Sequence, residues 1–316
     1  MTSAADGRPH GPATSRGGAK PVSEVTFGDH LCLTFDNDPE RYAILGAYIR
    51  DGLALHHKII YLADEDDAGA VLRRLGDGIA GAWVPGTERL DLDAAVAEGR
   101  LAIRPIVDAF MATGRFDPDE TVALLATEIE VALVQGYAGV RISGETSFSL
   151  RGWPGTDRFA DFEQRCQAAF QTPGLKAMAL CQYDSRWFSR AQLEELELCH
   201  GGRVRVDDLY DDGVLRITPL FTPPGLALDG AVDESTVQAV GDALERMAAR
   251  ASHFCLDLSG LEFCDMEGLR TLIGAGRSGG VHRQVILRGV PDYLDLMLRI
   301  SGWDSMPDIY REGVRR

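Results

Sequence analysis

The sequence predicts two α/β domains in tandem, the first built on a mostly parallel sheet with helices. Three observations carry this. The chain has 316 residues, enough for two cores. Strand-type and helix-type segments alternate from residue 24 to residue 210. A polar, turn-prone stretch at 209–213 (LYDDG) then interrupts the pattern, which restarts and runs through 214–316, a length that suits one compact domain.

The elements follow in order. Residues 1–23 are rich in Gly, Ala, Ser, Thr and Pro without an apolar run, so they are expected as a disordered leader and not a signal peptide. The run 31–35 (LCLTF) opens the first domain. Asp36, Asn37, Asp38 and Pro39 then turn the chain, with Asp38 expected to cap a helix that has Pro39 at its first position. Tyr42, Leu45, Ile49 and Leu53 recur at helical spacing. Residues 58–63 (KIIYLA) read as a buried strand ending in the acidic turn Asp64, Glu65, Asp66, Asp67. A strand over 101–106 follows, then a turn at 114–118 (GRFDP), where Asp117 caps a helix that runs to Gln135 and ends at Gly136. Strands over 139–143 (GVRIS) and 177–182 (AMALCQ) flank a helix over 159–170. Parallel strands joined by helices are the economical topology.

In the second half, strands over 215–219 and 225–230 precede a helix that Asp233 is expected to cap, its apolar stripe being Val237, Val240, Leu244 and Met247. A strand over 253–258 (HFCLDL), a helix over 266–275, a strand over 284–288 (QVILR) and a helix over 292–300 complete the domain.

Charge and composition narrow the function. Asp and Glu number 48 against 32 Lys and Arg, a formal charge of −16. Such a surface repels a phosphate backbone, and Arg73-Arg74 fits a solvated helix face, so nucleic acid is not an expected partner. No apolar stretch approaches the roughly 18 residues that span a bilayer, so neither is a membrane, and a cytoplasmic location is expected. The six cysteines include no CxxC pair and read as small buried hydrophobes in a reducing setting. Cys199-His200 reads as a chance pair at a helix end, so no metal and no cofactor are expected.

The run 254–269 (FCLDLSGLEFCDMEGL) ends an apolar strand in D-L-S-G and passes through an aromatic and Asp to Gly and Leu. With Leu287-Arg288-Gly289-Val290-Pro291 and 298–303 (LRISGW), it resembles the STAS domain of anti-sigma-factor antagonists. The residues themselves place a strand end at Asp257-Leu258, then a loop, then a helix with Asp265 as N-cap. The resemblance implies that a kinase-like anti-sigma factor docks at this helix start, where the residue after the Asp is often a phosphorylatable Ser or Thr. Here Met266 stands there, followed by Glu267 and Gly268, so the phospho-switch is missing from its usual place. Glu267 adds negative charge to the first turn and is read as a helix cap, with partial imitation of a phosphorylated state as the alternative.

In the first domain, 28–32 (GDHLC), 114–117 (GRFD), 136–148 with its GETSF ending, and 181–184 (CQYD) resemble, in order and spacing, the MEDS family, a sensory domain of methanogen and methylotroph regulators. The resemblance implies a degenerate RecA/KaiC-like scaffold that senses small molecules, hydrocarbon derivatives among them. A RecA-type ATPase needs G-x-x-x-x-G-K-[ST] after its first strand. The equivalent stretch, 34–40 (TFDNDPE), has three carboxylates, no Gly and no Lys, so ATP hydrolysis by that route is not expected.

What remains is a crevice at the strand C-terminal ends, the usual ligand site of open α/β sheets. The polar residues expected to converge there are His30, Asp36, Glu65, Arg141, Glu145, Gln182 and Asp184. Arg141 and Glu145 are expected to share a strand face and pair. Tyr183, Trp187 and Phe188 are candidates to wall an apolar ligand. Glu65 stands where a catalytic Glu sits in the ATPase relatives, yet it lacks a phosphate loop to serve. The function expected is therefore non-enzymatic. A small molecule or partner acts on the first domain, and the STAS unit contacts an anti-sigma factor or similar regulator through Asp265, Met266, Glu267 and Gly268. A residual nucleotide-binding protein or hydrolase, and a dimerising scaffold, are the alternatives; a homodimer is compatible with each.

Overall fold

The computed structural model describes residues 19–64, 67–82, 90–280 and 282–312. The first unit consists of β1 (Ala19–Pro21), β2 (His30–Phe35), α1 (Asp38–Ala54), β3 (His57–Ala63), α2 (Ala68–Gly81), α3 (Leu92–Ala97), β4 (Leu101–Pro105), α4 (Ile106–Phe110), α5 (Pro118–Val134), β5 (Gly139–Glu145), α6 (Phe159–Phe170), β6 (Ala177–Asp184), α7 (Arg190–Leu198) and β7 (Arg203–Arg205). Its seven strands form one sheet in the order β1-β7-β2-β6-β5-β3-β4, every pair parallel.

Helices cover both faces, which is why the strands read as near-continuous apolar runs. Alternate residues serve opposite cores. Leu31, Leu33 and Phe35 pack with Ile59, Tyr61, α1 and α2 on one side. Cys32, Ile60, Leu62 and Ile142 pack with α5, α6 and a group of phenylalanines on the other. From β2 the chain crosses over β6 and β5 to reach β3, whereas from β6 it returns to β7 beyond β2. The order therefore reverses between β2 and β6, and a crevice opens at their C-terminal ends.

The second unit consists of β8 (Tyr210–Asp211), β9 (Leu215–Phe221), β10 (Pro224–Val232), α8 (Val237–Ala248), β11 (His253–Cys264), α9 (Met266–Gly274), β12 (Gln284–Arg288), α10 (Asp292–Ile300) and β13 (Ile309–Arg311). Its sheet runs β13-β12-β11-β10-β9-β8, parallel from β10 to β13 and antiparallel from β8 to β10. Val240, Leu244, Leu269, Leu272, Leu294 and Leu298 seal its core. Phe221 at the end of β9 packs against the core of the first unit instead. Among the described residues no helix is long and apolar enough to cross a membrane.

Four expectations are corrected. Residues 19–23 are not leader: β1 pairs with β7, and a 3-10 turn spans Val22–Glu24; residues 1–18 lie outside the described residues. Asn37 rather than Asp38 caps α1, its side chain accepting from the Glu40 amide at 2.9 Å. Thr236 rather than Asp233 stands at the start of α8, donating its hydroxyl to the Ala231 carbonyl, while Asp233 closes the turn before it by accepting from Ser235. Finally, β11 does not stop at Leu258 but continues to Cys264 through irregular pairing with β10. Gly260 permits that continuation, since a Cβ there would meet Asp229 Oδ1 at 1.9 Å.

Candidate functional site

The crevice at the C-terminal ends of β2, β3, β5 and β6 has a volume of about 420 Å³. Glu145, the last residue of β5, is its hub. One carboxylate oxygen accepts from Arg41 at 2.6 Å, from the Tyr61 hydroxyl at 2.7 Å and from Arg74 at 3.1 Å; the other accepts from the Asp64 amide at 2.8 Å. Arg41, one turn into α1, also donates to Gln182 Oε1 at 2.8 Å, and Gln182 in turn donates to Ser143 at 2.9 Å. Burial alone would raise the Glu145 carboxyl; Arg41's charge, the Asp64 amide, the Tyr61 hydroxyl and Arg74 outweigh it and hold the group below its ordinary value.

Asp64, at the end of β3, accepts from Ser147 at 2.8 Å and pairs with Arg151 at 3.0 Å through one oxygen. Its other oxygen is buried without a hydrogen-bond partner among the described residues. Burial raises the Asp64 carboxyl, against the pull of Ser147 and Arg151. At the rim, Arg186 bridges Asp184 at 2.6 Å and Asp38 at 2.8 Å, and Trp187 is 72% exposed.

The start of α1 is where a phosphate would sit in this kind of fold, on free backbone N–H groups. Here Asn37 already takes the Glu40 amide, and Asp38 and Glu40 place carboxylates in the first turn. Such a terminus repels an anion.

Of the residues expected in the crevice, the structure brings together Glu145, Gln182 and Asp184. Glu65 lies outside the described residues. Asp36 is exposed and accepts from Asn37 Nδ2 at 2.7 Å, away from the crevice lining. Arg141 does not reach Glu145: it donates to the Tyr48 carbonyl at 3.0 Å and to His57 at 3.3 Å, with its guanidinium 4.8 Å from the Tyr48 ring centroid. Four residues along a strand span roughly 13 Å, so a shared face does not make a contact. His30 starts β2 and is therefore at the opposite end of the sheet, buried beside Glu163, Cys181 and His200. His200 is held neutral, its imidazole lowered to about 4 chiefly by burial. Tyr183 and Phe188 are core residues, and of the three aromatics only Trp187 lines the crevice.

Sequence reasoning missed Arg41, Tyr61, Asp64, Arg74, Ser147, Arg151 and Arg186. Two signals were available: Asp64 ends a strand at the crevice, and Arg41 lies one turn past a strand-to-helix junction.

In the second unit, Asp265 caps α9 as expected, accepting from the Gly268 amide at 2.7 Å. Glu267 does not cap; it reaches forward to Arg270 at 3.1 Å. Gly268 is required by packing, because a Cβ would meet Val232 at 2.6 Å. Met266 and Phe263 are exposed beside the cap. Replacing Asp265 by Ala is expected to lower stability by about 1 kcal/mol, the usual worth of such a cap, as a lower urea midpoint at unchanged slope.

Residues 29–201, more than half of the chain, match the family described as MEDS: MEthanogen/methylotroph, DcmR Sensory domain, and residues 220–309 match the Mlab STAS domain. No curated protein matches the chain. Among solved structures, a KaiC-like protein of Pyrococcus horikoshii is similar at 12% identity, with a TM-score of 0.40, over 67% of this chain and 85% of that one. An anti-sigma factor antagonist of Mycobacterium paratuberculosis is similar at 21% identity, with a TM-score of 0.24, over 33% and 82%. The flagellar accessory protein FlaH of Methanocaldococcus jannaschii is similar at 10% identity, with a TM-score of 0.37, over 64% and 79%. A sensory domain followed by a STAS domain is a regulatory, signalling combination, and on its first and larger match the chain belongs to the MEDS family.

Proposed function

We propose that the chain is a non-catalytic signalling protein in which residues 24–210 sense a small polar molecule and residues 214–316 contact an anti-sigma factor or a similar kinase-like regulator. One observation carries the reading: the crevice at the switch point is built for a ligand, yet its phosphate position is filled by the chain's own carboxylates and its buried arginine is committed to Glu145. The buried Asp64 oxygen without a partner favours a ligand with an N–H or O–H to donate. On the STAS side, exposed Phe263 and Met266 flank the capped start of α9 and offer an apolar docking point that carries no phosphorylatable hydroxyl at residue 266.

A thermal-shift screen of polar metabolites tests the sensory half. Compounds that raise the melting temperature of the native protein and lose that effect in Asp64→Ala support the reading. A screen whose hits all survive Asp64→Ala contradicts it. For the partner half, Met266→Asp is expected to weaken capture of the regulator at least tenfold while leaving the melting temperature within about 2 °C, since exposed changes usually cost little.

A further inference from the structure

We propose that His30, Glu163, Cys181 and His200 form a binding site for one zinc-class divalent metal ion. The four side chains come from β2, α6, β6 and the turn after α7, and their donor atoms all lie within 4.8 Å of one another. His30 Nε2 is 3.2 Å from Cys181 Sγ and 3.3 Å from Glu163 Oε2; the same oxygen is 3.5 Å from His200 Nε2 and 3.7 Å from Cys181 Sγ. Metal–ligand bonds of about 2.0–2.3 Å in a tetrahedron separate their ligand atoms by about 3.3–3.8 Å, the range spanned here. Two nitrogens, a thiolate and a carboxylate are a borderline-soft donor set that suits zinc, not magnesium or calcium.

The surrounding bonds aim each donor inward. His200 Nδ1 faces the Leu196 carbonyl at 2.7 Å, which can only accept, so Nδ1 carries the proton and Nε2 carries the lone pair. That Nε2 is buried and has no hydrogen-bond partner among the described residues. His30 Nδ1 faces Gln167 Oε1 at 3.3 Å, which likewise turns its Nε2 lone pair toward the cluster. Tyr183 donates to the outer Glu163 oxygen at 2.7 Å, leaving Oε2 for the centre. Imidazoles tied through Nδ1 and a carboxylate tied through its far oxygen are the outer-shell pattern of metal sites. Without a cation, the carboxylate oxygen and two nitrogen lone pairs converge with the thiol as the one donor among them, in a place where the side chains of His30, Glu163 and His200 are at most 1% exposed. The competing account is a proton: a His200 imidazolium paired with Glu163, and no metal.

The test is elemental analysis of the untagged full-length protein, together with the absorption spectrum after refolding from urea with Co²⁺, since the sealed donors are best loaded during folding. The expected results are one zinc per chain and, with cobalt, tetrahedral ligand-field bands and a thiolate-to-cobalt charge-transfer band. Cys181→Ser should abolish the charge-transfer band, and Cys166→Ser, which alters a nearby buried thiol outside the donor set, should leave it. Tyr183→Phe should weaken metal retention about ten- to hundredfold, as loss of an outer-shell partner does. Folded wild-type protein that holds no zinc and shows no charge-transfer band with cobalt overturns the proposal, as does a band that persists in Cys181→Ser. The wild-type spectrum decides even if the variants fail to fold.

Discussion

Glu145→Ala is expected to destabilise the protein by about 3–5 kcal/mol, the cost of removing one partner of a buried ion pair and leaving the other uncompensated. Arg41 would keep its charge in a largely buried position with only Gln182 and Tyr61 as acceptors, and the Asp64 amide would lose its own. Urea denaturation measures this directly. The paired change Glu145→Leu with Arg41→Leu should recover much of the loss, because apolar side chains of similar size replace a buried pair at little cost. A loss under about 1 kcal/mol in Glu145→Ala would mean the pair behaves as an exposed one, contradicting its burial. The pH dependence follows with its sign. The folded Glu145 carboxyl lies below its ordinary value of 4.5, so its contribution is fully present above that pH and fades as pH falls through the folded value. Stability should therefore drop below about pH 4.5, and the drop should be shallower in Glu145→Gln.

Phe116→Ala is expected to cost about 3–5 kcal/mol, the range for a buried phenylalanine whose site cannot collapse. Phe116 is 1% exposed and meets Phe148 edge-on at 5.7 Å and Phe162 at 5.5 Å, with Phe110 and Phe159 completing the group. Its backbone is also fixed, its amide donating to the Pro154 carbonyl at 2.8 Å. Gly155 sits against it at φ +88°, where a Cβ would lie 2.0 Å from the Phe116 oxygen. Rigid surroundings of this kind leave a cavity when the ring is removed. A melting temperature within about 2 °C of wild type would show that the phenylalanine group repacks freely.

Much of this architecture was legible because strong local signals agreed with tertiary packing. KIIYLA is buried on both faces and is a strand; Asp117 and Pro118 start α5 where the sequence places them. Cap choice was less legible where short polar residues adjoin. Asn37 and Asp38 are both good caps, and the register of Pro39 fits either. The site was read in part. Strand C-terminal ends gave Glu145, Gln182 and Asp184, but the arginines that meet them come from helices and turns whose rotation about the sheet is not encoded in any spacing. His30 was misplaced because a strand's first residue and its last lie at opposite ends of the sheet. The residues gathered around it span 170 positions of chain between His30 and His200, and only the register that sets His30 beside Ala179 in β6 brings Cys181 near. The expectation that Cys199-His200 is a chance pair holds for Cys199, whose thiol faces backbone carbonyls, but not for His200.

The account rests on recognition without turnover in the crevice. Steady-state ATP hydrolysis by the purified full-length protein, measured beside Glu145→Gln and Asp64→Asn, tests it most directly. The account predicts no hydrolysis above a buffer control in any of the three. Turnover by the wild type that disappears in Glu145→Gln or Asp64→Asn would contradict it, because the catalysis would then belong to the crevice itself.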